Sequence, residues 1–155
     1  MLLQRINRSD PEKVFIVVKN TYSTAALANG QAVMFDFVTD QDGVGVTLAT
    51  AATKHGGMAG AGVVAQAIAV GSYGLIQVYG YHSAARVRAL TGGTPVVATG
   101  VCLGAVAAAF CLDSIAVSVA STAVVKIRFP IAFSLGAATA GFTTTTGAVF
   151  IKALG

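Results

Sequence analysis

The chain has 155 residues, of which 55% are hydrophobic and only 10% charged; ten Lys and Arg against six acids leave a formal charge of +4. So apolar a composition argues against intrinsic disorder, and the scattered basic residues, with no run of five or more, argue against a dedicated nucleic-acid tail. The length suits one domain with a core of its own.

Residues 1–12 are polar, carry Arg5, Arg8 and Pro11, and read as an N-terminal arm ahead of a single β domain over 13–155. Only two consecutive Leu precede the first charge, too short for a secretory leader, so the expectation is a chain made in the cytoplasm and left unprocessed. KVFIVVK (13–19) alternates as a strand, with Lys13, Phe15, Val17 and Lys19 on one face and Val14, Ile16 and Val18 on the other. Asn29-Gly30 signals a turn into QAVMFDFV (31–38); TDQDG (39–43) turns the chain again, and GVTLAT (45–50) follows.

The Ala/Gly-rich stretch 51–62 reads as a loop and GVVAQAIAV (62–70) as a short strand. Gly71-Ser72 turns into the aromatic strand YGLIQVYGY (73–81), and SAARVRAL (83–90) alternates cleanly as the next. Gly92-Gly93 turns into PVVA. VCLGAVAAAFCL (101–112) is the one segment that suits a short buried, Ala-rich helix. SIAVSVAS (114–121), AVVKIRFPIAF (123–133, with Pro130 at an edge or bulge) and GAVFIKAL (147–154) complete the set. About ten short strands at such spacings predict an all-β fold, a small sandwich or barrel. Their weak polar alternation predicts burial on both faces, within the fold or in an assembly.

Three charge-free stretches, Lys54/His55 to Arg86, Arg88 to Asp113 and Arg128 to Lys152, are long enough to span a membrane as helices. Their Gly and Thr content and scarcity of Leu favour strands and turns instead, so no membrane partner is expected. Cys102 and Cys111 read as buried free thiols; a hairpin disulfide is the alternative.

Motifs for chemistry are weak. Gly60-Ala61-Gly62-Val63-Val64-Ala65 matches G-x-G-x-x-A, but no acid lies between Asp42 and Asp113 to hold a ribose. Asp40-Gln41-Asp42-Gly43 lacks the remaining ligands of a calcium loop and reads as an Asp-Gly turn. His55 and His82 are the only histidines, Glu12 is the only Glu, and no G-x-S-x-G elbow occurs. No catalytic residue, cofactor, metal or small-molecule substrate is expected, and the chain reads as non-enzymatic. The densest polar and aromatic group is Tyr79, Tyr81, His82, Arg86 and Arg88. Tyr79 and Tyr81 share a face, and Arg86 and Arg88 share one on what reads as the neighbouring strand. Such a group can stack bases and hold phosphates, but Tyr and Arg are also enriched at protein interfaces, and the interface reading is favoured over nucleic acid.

The runs GLIQVYGYHSAARVRAL (74–90), TGGTPVVATG (91–100), AVFIKAL (148–154) and LANGQAV (27–33), about a third of the chain, resemble the capsid decoration, or head-stabilising, proteins of tailed bacteriophages. The resemblance implies a small β-rich virion protein on the outer capsid surface, stabilising the lattice by bridging major capsid protein subunits. It implies a homo-oligomer, with a trimer favoured, and contacts through Arg5, Arg8, Tyr79, Tyr81, Arg86 and Arg88. The alternatives are another virion component at the head–tail junction or fibre base, a small membrane protein, or a carbohydrate- or nucleic-acid-binding module.

Overall fold

The computed structural model describes residues 12–48, 60–88, 96–105, 110–114, 130–139 and 144–153, and every regular element among them is a strand. In chain order these are β1 (Lys13–Asn20), β2 (Ala32–Phe35), β3 (Gly45–Thr47), β4 (Gly60–Val64), β5 (Tyr73–Val87) and β6 (Val96–Val97). They continue as β7 (Cys102–Ala105), β8 (Leu112–Ser114), β9 (Ala132–Ser134), β10 (Ala138–Thr139) and β11 (Thr145–Lys152). The fold is all-β, as the composition predicts. Strands expected over 114–121 and most of 123–133, the arm with Arg5 and Arg8, the loop at 51–59 with His55, and the turn at Gly92-Gly93 lie outside the described residues.

β5 is the organising element. Its 15 residues have two hydrogen-bonding edges, and each edge serves two strands in succession. One edge pairs antiparallel with β1 from Tyr73 to Gly80 and then, in parallel, meets β8 at Val87–Leu112. The other pairs with β4 at Ile76 and Gln77 and then with β11 from Tyr79 to Val87. The remaining pairings close two rings on this one strand. The first runs β1-β3-β2-β4-β5, and the second β5-β11-β9-β7-β8. Five strands cannot alternate in direction all the way round a ring, so each ring needs a parallel pair. Those pairs are β1–β3 in the first and β5–β8 in the second; every other neighbour in the two rings is antiparallel. Closure removes the open sheet edges that a flat array would leave.

Each ring has its own core. Val18, Val33, Val46, Val64, Ile76 and Val78 fill the first, with Leu27 and Ile68 from flanking loops. Ala85, Val87, Leu103, Leu112, Val149 and Ile151 fill the second, joined by Ala32, Met34 and Val63. β2 and β4 therefore supply both cores: Val33 faces one and Ala32 and Met34 the other, while Val64 and Val63 divide in the same way. This two-sided burial is the physical reason these strands lack polar alternation.

Two expectations from the sequence are corrected. Residues 101–112 are not a helix where described: β7 and β8 pair antiparallel, Leu103 opposite Ser114 and Ala105 opposite Leu112. β7 also pairs with β9, and burial of Leu103 and Ala105 in the second core overrides the helix preference of an Ala-rich run. Residues 73–81 and 83–90 are not two strands but one, continuous to Val87. The expected break is a bulge. His82 sits opposite Val149 and Ala85 opposite Gly147, so one side advances three residues and the other two. Ser83 and Ala84 are exposed there, and the buried positions switch from Ile76, Val78 and His82 to Ala85 and Val87.

The Asn29-Gly30 turn locks this bulge. The Gly30 carbonyl accepts from the Arg86 N–H at 2.7 Å, and Gly30 has φ of +81°. A Cβ on Gly30 would collide with the Ala84 carbonyl oxygen. Gly71 also has positive φ (+72°), but nothing lies within 4 Å of its missing Cβ. Gly71→Ala should therefore cost only its left-handed backbone, about 1–2 kcal/mol, while Gly30→Ala should cost clearly more because the bulge itself must move. Denaturant midpoints of the two variants check this; equal losses would show that the turn does not brace the bulge.

Candidate functional site

The switch at Ser83-Ala84 decides which side chains share the outer surface. Before it, the outward positions of β5 are Tyr79 and Tyr81; after it the outward position is Arg86, and Arg88 follows just past the end of the strand, all four half-buried. Tyr79, Tyr81 and Arg86 thus lie on one face of one strand, rather than on two neighbouring strands. From Tyr81 to Arg86 the strand covers about 15 Å at its usual rise, so this is a stripe rather than a cluster.

Neighbouring strands widen the stripe into a surface. Tyr81 is directly opposite Phe150 of β11, Phe150 is opposite Phe133 of β9, and Phe133 is opposite Cys102 of β7. Residues paired in this way project from the same face, and all four are half-buried. One row therefore crosses four strands. Beside it, Tyr79 lies opposite Lys152 on one edge and Val14 on the other. The Tyr79 and Phe150 rings meet edge-on, with centroids 5.2 Å apart and planes at 81°. Further along, Arg86 lies opposite the exposed Thr146. Phe133 and Phe150 were not singled out from sequence. Each sits in a run read as a strand, but only the register shows that they stand in line with Tyr81.

Arg88 is more deeply engaged than an interface residue need be. Its backbone N–H donates to the Leu112 carbonyl at 2.8 Å, so it helps close the second ring. Its Nε is buried without a hydrogen-bond partner among the described residues. Burial pushes the Cys111 thiol above its ordinary value, and the nearby charge of Arg88 opposes that shift. Cys111 is therefore a buried, protonated thiol, and Cys102 is free and half-exposed.

His82 belongs to the interior. Its Nδ1 accepts from the Ala84 N–H at 3.2 Å, which fixes the proton of the neutral ring on Nε2. Burial lowers its pKa first, the charge of Lys13 adds to this, and a hydrogen bond to the Val64 backbone only partly offsets them. Gln77, also buried, donates from Nε2 to the Tyr79 and Tyr81 carbonyls, each at 3.1 Å, and so stiffens the strand beneath the tyrosines.

Other motifs take structural places. Gly60-Ala61-Gly62 lies inside β4, paired with β2, and does not lead a helix. Asp40-Gln41-Asp42-Gly43 is a turn in which Asp40 Oδ1 accepts from the Asp42 N–H at 3.2 Å. Among the described residues no three His, Cys, Asp or Glu gather as a metal site. Among them, too, no helix is long and apolar enough to cross a membrane.

No protein-family model and no curated protein matches the chain. A crystal structure of the N base of head fiber gp8.5 of bacteriophage phi29 is similar with a TM-score of 0.48 and 10% identity, over 90% of this chain and 94% of that one.

The His82 geometry gives a pH dependence. The folded state holds the ring neutral, so on acidification the unfolded chain takes up its proton first and stability falls with pH. The loss begins as pH drops below the ordinary His value of about 6.5 and continues to the depressed folded value, with a slope of at most about 1.4 kcal/mol per pH unit. Urea midpoints at pH 7.5 and 5.5 should differ more in the wild type than in His82→Gln. An equal pH dependence in both would remove His82 as its source.

Proposed function

We propose that this chain is a non-enzymatic structural protein of a tailed-bacteriophage virion, bound to the outer surface of the capsid lattice and bridging neighbouring major capsid protein subunits. The observation that carries the reading is the outward aromatic row Tyr81–Phe150–Phe133, with Tyr79 and Lys152 beside it, on a sheet face held rigid by two closed rings. Large, stiff, amphipathic side chains on a rigid platform are suited to protein contact, because they bury much area while losing little conformational freedom. The sequence likeness to decoration proteins, which includes the tyrosine strand and AVFIKAL, supports the same assignment. On a lattice, modest contacts suffice, because many copies act on one particle.

The test is the protein content of density-purified particles from cells carrying the genome that encodes the chain. The reading expects this protein in a fixed ratio to the major capsid protein, with copies in the hundreds. The double variant Tyr81→Ala/Arg86→Ala should fold, by circular dichroism, yet be depleted from particles at least tenfold. A few copies per particle would contradict lattice binding and point to a tail or fibre-base position. Complete absence from particles would overturn the virion reading.

A further inference from the structure

Ring closure does not reach the whole of β1. One edge of this strand pairs with β5 from Lys13 to Lys19, but on the other edge β3 pairs only with Lys19 and Asn20. Among the described residues no strand pairs with that second edge over 13–18. The side chains there are uncovered as well: Val14, Phe15 and Val17 are 36%, 42% and 62% exposed. Val14 projects from one face of the strand and Phe15 and Val17 from the other, so both faces are apolar beside the free edge.

The hydrogen bonds at the C-terminal end of β1 show which backbone groups point to that edge. The Asn20 N–H donates to the Ser72 carbonyl at 2.9 Å, on the β5 side. The Lys19 and Thr21 N–H groups donate to the Val44 and Val46 carbonyls at 2.8 and 3.0 Å, on the β3 side. Backbone groups of successive strand residues point to alternate edges. The irregularity near Val14 lies on β5, which advances from Gln77 to Tyr79 while β1 advances one residue, so the alternation in β1 continues to Lys13. Lys13, Phe15 and Val17 therefore turn both N–H and C=O toward the free edge. Such a row is a template for another strand unless Pro, charge or a bulge in the edge itself blunts it, and residues 14–18 contain none of these.

We propose that the same edge of a second copy completes it, the two β1 strands pairing antiparallel about a two-fold axis at Phe15. Hydrogen-bonded pairs of an antiparallel ladder exchange both bonds, so an outward residue must meet an outward residue. Phe15 meets its own equivalent, Lys13 of each copy meets Val17 of the other, and Val14 meets Ile16 on the opposite face. Neighbouring registers are closed. A shift of two residues one way sets Lys13 against Lys19, a like charge whose N–H is already taken by Val44. A shift the other way sets Val17 against Pro11, which has no N–H to donate. In the open register Phe15 packs on Phe15, and the Lys13 stem covers Val17. One contact made twice is the character of a two-fold interface. The edge is read on the isolated protein, so it stands or falls without reference to any capsid.

Size-exclusion chromatography with light scattering, on full-length protein checked for folding by circular dichroism, tests it. Wild type at tens of micromolar is expected to be dimeric. Val17→Pro deletes one outward N–H and no bond to β5, so it should fold and be monomeric. Oxidative cross-linking then reads the register, in protein that also carries Cys102→Ser. Cα atoms of a hydrogen-bonded pair are about 5.5 Å apart, within disulfide reach, so Phe15→Cys should give a covalent dimer. Val17→Cys should not, because its two equivalents lie about 13 Å apart along the ladder. If Val17→Pro does not fold, the two cysteine variants decide alone. A monomeric wild type, a folded Val17→Pro that stays dimeric, or Val17→Cys cross-linking as readily as Phe15→Cys would each overturn the proposal.

Discussion

Both rings depend on β5. A strand has only two hydrogen-bonding edges, and β5 uses each of them twice by being long enough to pass from one ring into the next. Shortening it would open both rings at once. The points where it changes partners are also where special chemistry gathers. Gly80 has φ of +99°, and a Cβ there would strike the Glu12 carbonyl as β1 begins. Gln77 satisfies the carbonyls of Tyr79 and Tyr81 near the handover from β4 to β11. His82 accepts the Ala84 N–H at the bulge. The make-up of the outer face is a consequence of this arrangement, since the bulge turns Arg86 to the same side as the tyrosines.

What the sequence reveals and what it hides follow from the range of the interactions. KVFIVVK is legible because its period and flanking charges are local, and it appears as β1 with only a bulge between Val14 and Phe15 added. QAVMFDFV shortens to Ala32–Phe35 because Asp36 caps the turn that follows, accepting from Thr39. GVVAQAIAV shifts to Gly60–Val64, and Ile68 leaves the strand to bridge to Leu27. The Ala-rich run at 101–112 misleads for the opposite reason: its local preference is helical, but its neighbours in space are β8 and β9. Closure of the rings, the two-sided burial of β2 and β4, and the alignment of Phe133 with Tyr81 all depend on register between distant segments, which no local pattern encodes.

The same distinction applies to function. Tyr79, Tyr81, Arg86 and Arg88 are conspicuous by composition, and the first three share one face of β5, while Arg88 is drawn into ring closure beside Cys111. The low charge suggests at first that much of the surface must be covered by other proteins. Two interior cores account for a large part of that apolar content, and the exposed remainder gathers on β1 and its adjoining turn. The molecule thus presents an aromatic row on β5, β11 and β9 with Lys152 and Arg86 beside it, and a set of exposed apolar side chains on β1 and the turn after β2.

Hydrogen exchange across β5, followed by mass spectrometry with overlapping peptides, tests the shared strand most directly. Amides belonging to one cooperative unit exchange with one opening free energy. The segments 74–80 and 81–87 should both be among the most protected in the chain and lose protection together as denaturant is added. Strong protection of 74–80 alongside exchange of 81–87 within minutes would contradict it, because the second ring would then be closing without the strand on which it is built.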